Sequence, residues 1–178
     1  PVAEGTGKGI SAHSRIADAD QLGRVCRRLL RQFRQPVLVE TYLPGDEYTV
    51  GILGAGRTAR VAGVMEVRYQ NGTEAIYSYA TKKDYETRVA YALAAPRAAK
   101  ACGDLALKAW NALGCVDAGR VDIRCDAAGR PAFIEVNPLA GLNPVHSDLP
   151  ILCRLSGISY DALIGAIVNA ARKRHGLK

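Results

Sequence analysis

Apolar residues recur at Leu22, Val25, Cys26, Leu29, Leu30 and Phe33, with arginines between them. That spacing predicts an amphipathic helix, with Asp18 or Asp20 to cap its start and Pro36 to stop it. Two β-rich runs follow, 37–41 and Glu47–Leu53, split by the turn-forming Pro44-Gly45-Asp46. A further strand is expected over 59–68, after Gly54-Ala55-Gly56. The stretch 70–88 is polar, irregular and rich in Tyr and Lys, and reads as a long loop of the kind that often carries function. Ala98, Ala101, Cys102, Leu105, Ala109 and Ala112 mark a second amphipathic helix. Strands at 119–125 and 131–136 are joined by Asp126-Ala127-Ala128-Gly129-Arg130, a hairpin turn. After 149–155, a last helix buries Tyr160, Leu163, Ile164, Ile167, Val168 and Ala171. The order of elements predicts an α+β fold with antiparallel sheets covered on one face.

Composition narrows this picture. With 178 residues, 48% of them hydrophobic, the chain can bury one sizeable core or two small lobes sharing a cleft. No run approaches the roughly 20 apolar residues that span a bilayer, and no signal segment opens the chain, so no membrane partner and a cytoplasmic location are expected. The five cysteines never form CxxC and read as small core residues in a reducing compartment. A net charge of +7 admits any anionic partner, but much of the excess lies at Arg24, Arg27, Arg28, Arg31, Arg34 and at Arg172, Lys173, Arg174, as solvated helix faces. The chain opens at Pro1 without a methionine and reads as a portion of a longer polypeptide.

The sharpest chemical signal is an acidic hairpin. Strand alternation puts Arg120, Asp122 and Arg124 on one face, and in the next strand groups Phe133, Glu135 and Asn137, with Ile134 pointing away. A short turn at Ala128-Gly129 sets Asp122 opposite Glu135. Two opposed carboxylates repel unless something positive sits between them. Carboxylate and amide oxygens suit Mg²⁺; the plainer alternative is an exposed hairpin whose Arg120 and Arg124 pair with the acids.

Gly119-Arg120-Val121-Asp122, then Phe133-Ile134-Glu135-Val136-Asn137-Pro138 and Gly141, resembles the metal-binding end of the ATP-grasp enzymes, and within them the D-alanine–D-alanine ligase family. Glu4-Gly5-Thr6-Gly7-Lys8-Gly9, Val39 through Leu43, Gly45 through Val50 and Gly157-Ile158-Ser159-Tyr160 agree in the same order. The resemblance implies two α+β lobes enclosing an ATP cleft: 1–45 a small lobe with the glycine-rich loop, 46–178 a large lobe with the metal site, and the N-terminal substrate domain absent. Glu4, Gly5, Thr6 and Gly7 would cover the ATP phosphates, where glycine lets backbone N–H groups approach closely. Glu40, Thr41, Tyr42 and Leu43 would read the adenine edge, Ile134 would pack on it, Glu47 would bind the ribose hydroxyls, and Lys82 would be a phosphate-binding lysine. Asp122, Glu135 and Asn137 would hold two Mg²⁺ or Mn²⁺ ions. Arg120 and the Gly141 N–H would stabilise the oxyanion, and Gly141 and Ser147 would contact the amino-acid substrate.

The implied reaction is ATP-dependent joining of a carboxylate to an amine through an acyl phosphate, with amino-acid substrates, a homodimer when full length, and no activity in the isolated portion. Departures fall on the amino-acid side. Thr6 and Gly7 stand where the family has two serines, Lys83 replaces a tyrosine, and the 137–147 segment is one residue longer. A divergent ligase for another amino-acid-like substrate and an inactive regulatory domain therefore stay open beside the dipeptide ligase. A nucleic-acid-binding module has the charge but no recognised motif.

Overall fold

The computed structural model describes residues 1–5, 7–69 and 89–177. The chain divides into two units, Pro1–Tyr42 with Tyr69–Ala90 and Leu43–Arg68 with Tyr91–Lys178. The expected loop over 70–88, with its Lys82 and Lys83, lies outside the described residues, as does Thr6.

In the first unit the principal described element is α1, Ala19–Phe33. Asp18 caps it, its carboxylate accepting the Gln21 N–H at 2.7 Å. Arg34, at φ 53°, ends it in the left-handed region two residues before Pro36. Leu29 is buried and Leu22, Val25, Cys26 and Phe33 are half-buried, but Leu30 is 46% exposed and falls outside the stripe the spacing predicted. The run 37–41 is not a strand. Leu38 and Val39 are 63% and 58% exposed, and no ladder partner takes their backbone groups among the described residues, without which β propensity does not make a strand.

The second unit is built on a sheet ordered β3-β2-β1-β4-β5, with β1 Glu47–Leu53, β2 Arg60–Tyr69, β3 Val89–Leu93, β4 Ala118–Cys125 and β5 Pro131–Asn137. β1 runs antiparallel to both β2 and β4, and β4 to β5. The β3 strand, hidden behind the polar stretch, was not legible in the sequence pattern. Helix α2, Pro96–Ala112, has Pro96 in its first turn and buries Cys102, Gly103, Ala106 and Trp110. It covers one sheet face, closing a core with Tyr48, Val50, Ile52, Val64, Val121, Ile123 and Cys125. Trp110 is fully buried, donates its indole N–H to the Gly54 carbonyl at 3.1 Å, and lies on Gly119, where a Cβ would come within 2.7 Å of the ring.

Helices also cover part of the other face, which corrects the expectation of a sheet covered on one side only. There α3, Asp148–Leu155, and α4, Tyr160–Arg174, bury Leu149, Ile151, Leu152, Cys153 and Leu163 against Leu53 and Met65. A glycine pair admits them: Gly51 is register partner of Gly63, and a Cβ on either would come within 3 Å of Leu152. Within α4 the buried side is centred on Leu163; Tyr160 and Val168, predicted to be buried, are 40% and 51% exposed. All five cysteines are free, three of them buried. Among the described residues no single helix is long and apolar enough to cross a membrane.

Candidate functional site

Strand β4 alternates strictly. Gly119, Val121, Ile123 and Cys125 are buried, while Arg120, Asp122 and Arg124 lie between them, half-buried, on the face shared with α3 and α4. The Asp126 carboxylate fixes the turn to β5 by accepting the N–H groups of Ala128 at 2.8 Å and Arg130 at 2.9 Å, and Gly129 takes φ 74°. The Arg130 N–H first, then the Arg130 side chain and the Ala128 N–H, hold the Asp126 carboxyl below the usual carboxylate range.

Beyond a one-residue shift in register, β4 and β5 pair Asp122 with Glu135, the opposition expected from the sequence, and Arg120 with Asn137. The expected alternation fails at that shift, which lies between Asp122 and Ile123. Phe133 is thereby partner to Ile123, outside the series that carries Glu135 and Asn137, and Ile134 is the extra residue of a β-bulge. Both are substantially exposed, at 40% and 48%.

Four groups converge on Asp122. Thr49, its partner on β1, donates its hydroxyl to Oδ1 at 3.1 Å; Arg120 Nε donates to the same oxygen at 3.2 Å; the Asn137 amide donates to Oδ2 at 3.0 Å. Glu135 completes the group, its Oε1 accepting from the same Asn137 nitrogen at 3.1 Å. Burial pushes the Asp122 carboxyl above its ordinary value, and the Glu135 charge adds to that, against the opposing pull of Arg120 and Thr49. Two carboxylates thus share one amide nitrogen, with Arg120 as the cation beside them. A half-turn of the Asn137 amide would present its oxygen beside the two carboxylates, a hard-oxygen set that fits Mg²⁺ or Mn²⁺. Among the described residues no three His, Cys, Asp or Glu side chains are grouped so as to hold a metal ion.

Arg120 is shared. Its Nη1 lies 2.8 Å from Asp148 Oδ2, and Asp148 Oδ1 accepts the Tyr91 hydroxyl at 3.2 Å. Arg124 pairs with Glu47 at 3.2 Å, and Arg120 with Asp122, the one ion pair of the plain salt-bridge alternative that is seen among the described residues. Thr49, Tyr91 and Asp148 were missed by sequence reasoning. Thr49 carried a readable signal, the inward parity of a β1 residue opposite Asp122, but only once the β1–β4 pairing is known.

Residues 1–169 match the family model described as the D-ala D-ala ligase C-terminus. The chain belongs to that family. A D-alanine–D-alanine ligase of Bordetella petrii is 36% identical over 142 residues, 79% of this chain and 42% of that protein. The ATP complex of the D-alanine–D-alanine ligase from Bacillus anthracis shares the fold at TM-score 0.67 and 22% identity, covering 90% of this chain and 50% of that one. The VanG D-Ala:D-Ser ligase of Enterococcus faecalis does so at TM-score 0.69 and 21% identity, covering 93% and 46%. The chain thus spans about half the length of the ligases it matches.

The remaining residues that the ligase family resemblance singled out fall in two local groups. In the first unit, Lys8 is bound to Glu4 at 2.8 Å, and Gln35 donates to the same carboxylate at 3.0 Å. The Lys8 ammonium, through this hydrogen bond, holds the Glu4 carboxyl below its usual range. Gly7 and Gly9 take φ 76° and 88°, and a Cβ at Gly5 would meet nothing within 4 Å. Glu40, Thr41 and Tyr42 are exposed, with Arg15 stacked 4.5 Å over the Tyr42 ring; Leu43 begins the second unit. In that unit, Gly141 lies against Ser147, whose Oγ a Cβ there would approach to 2.6 Å. Ser147 Oγ accepts the Asn143 N–H at 3.0 Å and the Tyr160 hydroxyl holds the Leu142 carbonyl at 3.0 Å, so this loop is a fixed platform ahead of α3.

Proposed function

We propose that this chain is the nucleotide- and metal-handling part of an ATP-dependent carboxylate–amine ligase that joins amino acids, with D-alanine as the first candidate substrate. The observation that carries the reading is Asp122 opposed to Glu135, with Asn137 bridging them and Arg120 alongside. Family membership over 1–169 supports it.

Asp122, Glu135 and the Asn137 oxygen would hold Mg²⁺ or Mn²⁺, one ion or two. When bound, the metal supplies positive charge against the phosphate oxygens of ATP. In the reaction, a carboxylate oxygen of the first amino acid takes the γ-phosphoryl group and ADP leaves. The amine of the second amino acid then attacks the acyl carbon, and inorganic phosphate departs as the amide bond forms. Arg120 donates N–H groups to the oxygens on which charge accumulates, and the Gly141 N–H does the same at the acyl centre. Glu47, oriented by its ion pair with Arg124, receives the ribose hydroxyls. Glu40 through Leu43 and Ile134 take the adenine, Glu4, Gly5, Thr6, Gly7 and Lys82 the phosphates, and Ser147 the acceptor's carboxylate. The location is cytoplasmic and the full-length enzyme a homodimer. The shared fold with a D-Ala:D-Ser ligase leaves room for an acceptor other than D-alanine.

Calorimetry of Mg·ATP binding tests this. Asp122→Asn should weaken it about 100-fold and Glu135→Gln about ten-fold, in keeping with losing charged ligands from a partly buried site. Equal binding by all three proteins sinks the metal site. In the full-length enzyme, absence of a D-alanyl dipeptide from D-alanine and ATP sinks the substrate assignment alone.

A further inference from the structure

We propose that Asp148 is a positioning residue for Arg120, and that by anchoring one edge of the guanidinium it keeps the Asp122 carboxylate available to a divalent cation. The proposal rests on the metal reading above and adds a residue to it.

Arg120 and Asp122 stand two apart on one strand face, so the guanidinium is tethered beside the carboxylate that must accept a cation. An arginine in that position has an obvious resting place, the parallel two-bond fork with the carboxylate, which is among the stronger ion-pair geometries. Such a fork would occupy both Asp122 oxygens and compete with the metal for them. The structure shows that fork stretched, Nε to Oδ1 at 3.2 Å and Nη2 to Oδ2 at 3.4 Å. Arg120 reaches Asp122 through three contacts of 3.2, 3.4 and 3.4 Å, while its Nη1 lies closer, at 2.8 Å, to Asp148. The fork is lengthened, while the remaining nitrogen is held at a shorter distance by the residue that opens α3.

Asp148 is suited to hold that tension because it is itself fixed. It opens α3, whose next residues Leu149 to Cys153 are buried in the second core. One of its oxygens takes the Tyr91 hydroxyl and the other takes Arg120. With both oxygens engaged and the residue on a different element from the hairpin, Asp148 serves as counterweight to the metal ligands and not as one of them.

Asp148→Asn tests the idea, since it retains the shape and an acceptor for Tyr91 but loosens its hold on Arg120. Mn·ATP binding, read by calorimetry, should weaken about ten-fold, within the coupling range of contacting residues, while ATP binding in metal-free, EDTA-containing buffer should not weaken. In an Arg120→Gln background the same change should have less than about a two-fold effect, because the competitor is gone. Tyr91→Phe, which removes the hydroxyl that Asp148 accepts, should act in the same direction by about three-fold. Parallel losses with and without metal, or an undiminished loss in the Arg120→Gln background, would overturn the proposal. If Asp122→Asn binds Mn·ATP like the unaltered chain, the metal reading itself fails, whatever Asp148 does.

Discussion

The two faces of strand β4 are opposites in chemistry. Val121, Ile123 and Cys125 on one side are dry, apolar and locked under Trp110. One residue along in each case, Arg120, Asp122 and Arg124 carry charges that are partly shielded from water and shared among Thr49, Glu47, Asn137 and Asp148. The first side is saturated, with each group's partner already in place. The second is held together by compromises: a carboxylate pushed toward its neutral form, an amide bridging two acids, an arginine divided between two others. A strand with period-two alternation can thus separate stability from chemistry within eight residues.

The sharpest way to break this contrast is to cut the dry side. Trp110→Ala removes a fully buried ring and should cost about 3–5 kcal/mol, read by urea unfolding, while whatever fraction stays folded keeps its Mg·ATP affinity. A proportionate loss of affinity would show that the two faces are not separable. On the wet side the sign reverses. Because the folded-state carboxyl of Asp122 is raised, the stability it contributes is complete below its ordinary value of 3.8 and is lost as pH climbs through the raised one. Asp122→Asn should therefore raise the metal-free melting point at pH 7 by about 2–4 °C, what roughly 1 kcal/mol gives in a chain of this length, and flatten the pH profile above 4. A drop in melting point would place Asp122 among the structural residues.

The smallest effect at neutral pH belongs to Tyr48, which lies on the dry side. Burial, with help from Asp46 and Glu66, pushes its hydroxyl up to about 12. Its contribution is intact below pH 10 and fades as pH passes through about 12. Alkaline denaturation should therefore be shallower in Tyr48→Phe over that window, with no difference at pH 7; identical curves would mean that the dry face is more hydrated than its packing implies.

What was legible in the sequence follows the range over which each feature is decided. Helix α1 and the Asp126 turn are settled by neighbours within a few residues, and both were expected, with Asp18 one of two candidate caps for the helix. Asp122 against Glu135 was expected from parity and an assumed turn centre; the pairing holds, but the turn itself sets Cys125 against Pro131 and the bulge at Ile134 brings Glu135 into place. The strand predicted over 37–41 failed because a strand needs a partner that propensity does not supply. Thr49 and Asp148 come to Asp122 and Arg120 from 73 and 28 residues away, through β1–β4 pairing and the seating of α3, and composition carries no trace of either.

The pair of glycines beneath α3 has a consequence for tuning the site from a distance. Gly51 is the register partner of Arg120, and its bare Cα bears the weight of Leu149 and Leu152. A single methyl there would act as a shim under the helix that begins with Asp148, with both leucines buried and little room for them to give way. The gap between anchor and arginine would then be set by carbon volume on the far side of the contact, an adjustment that touches no charged atom.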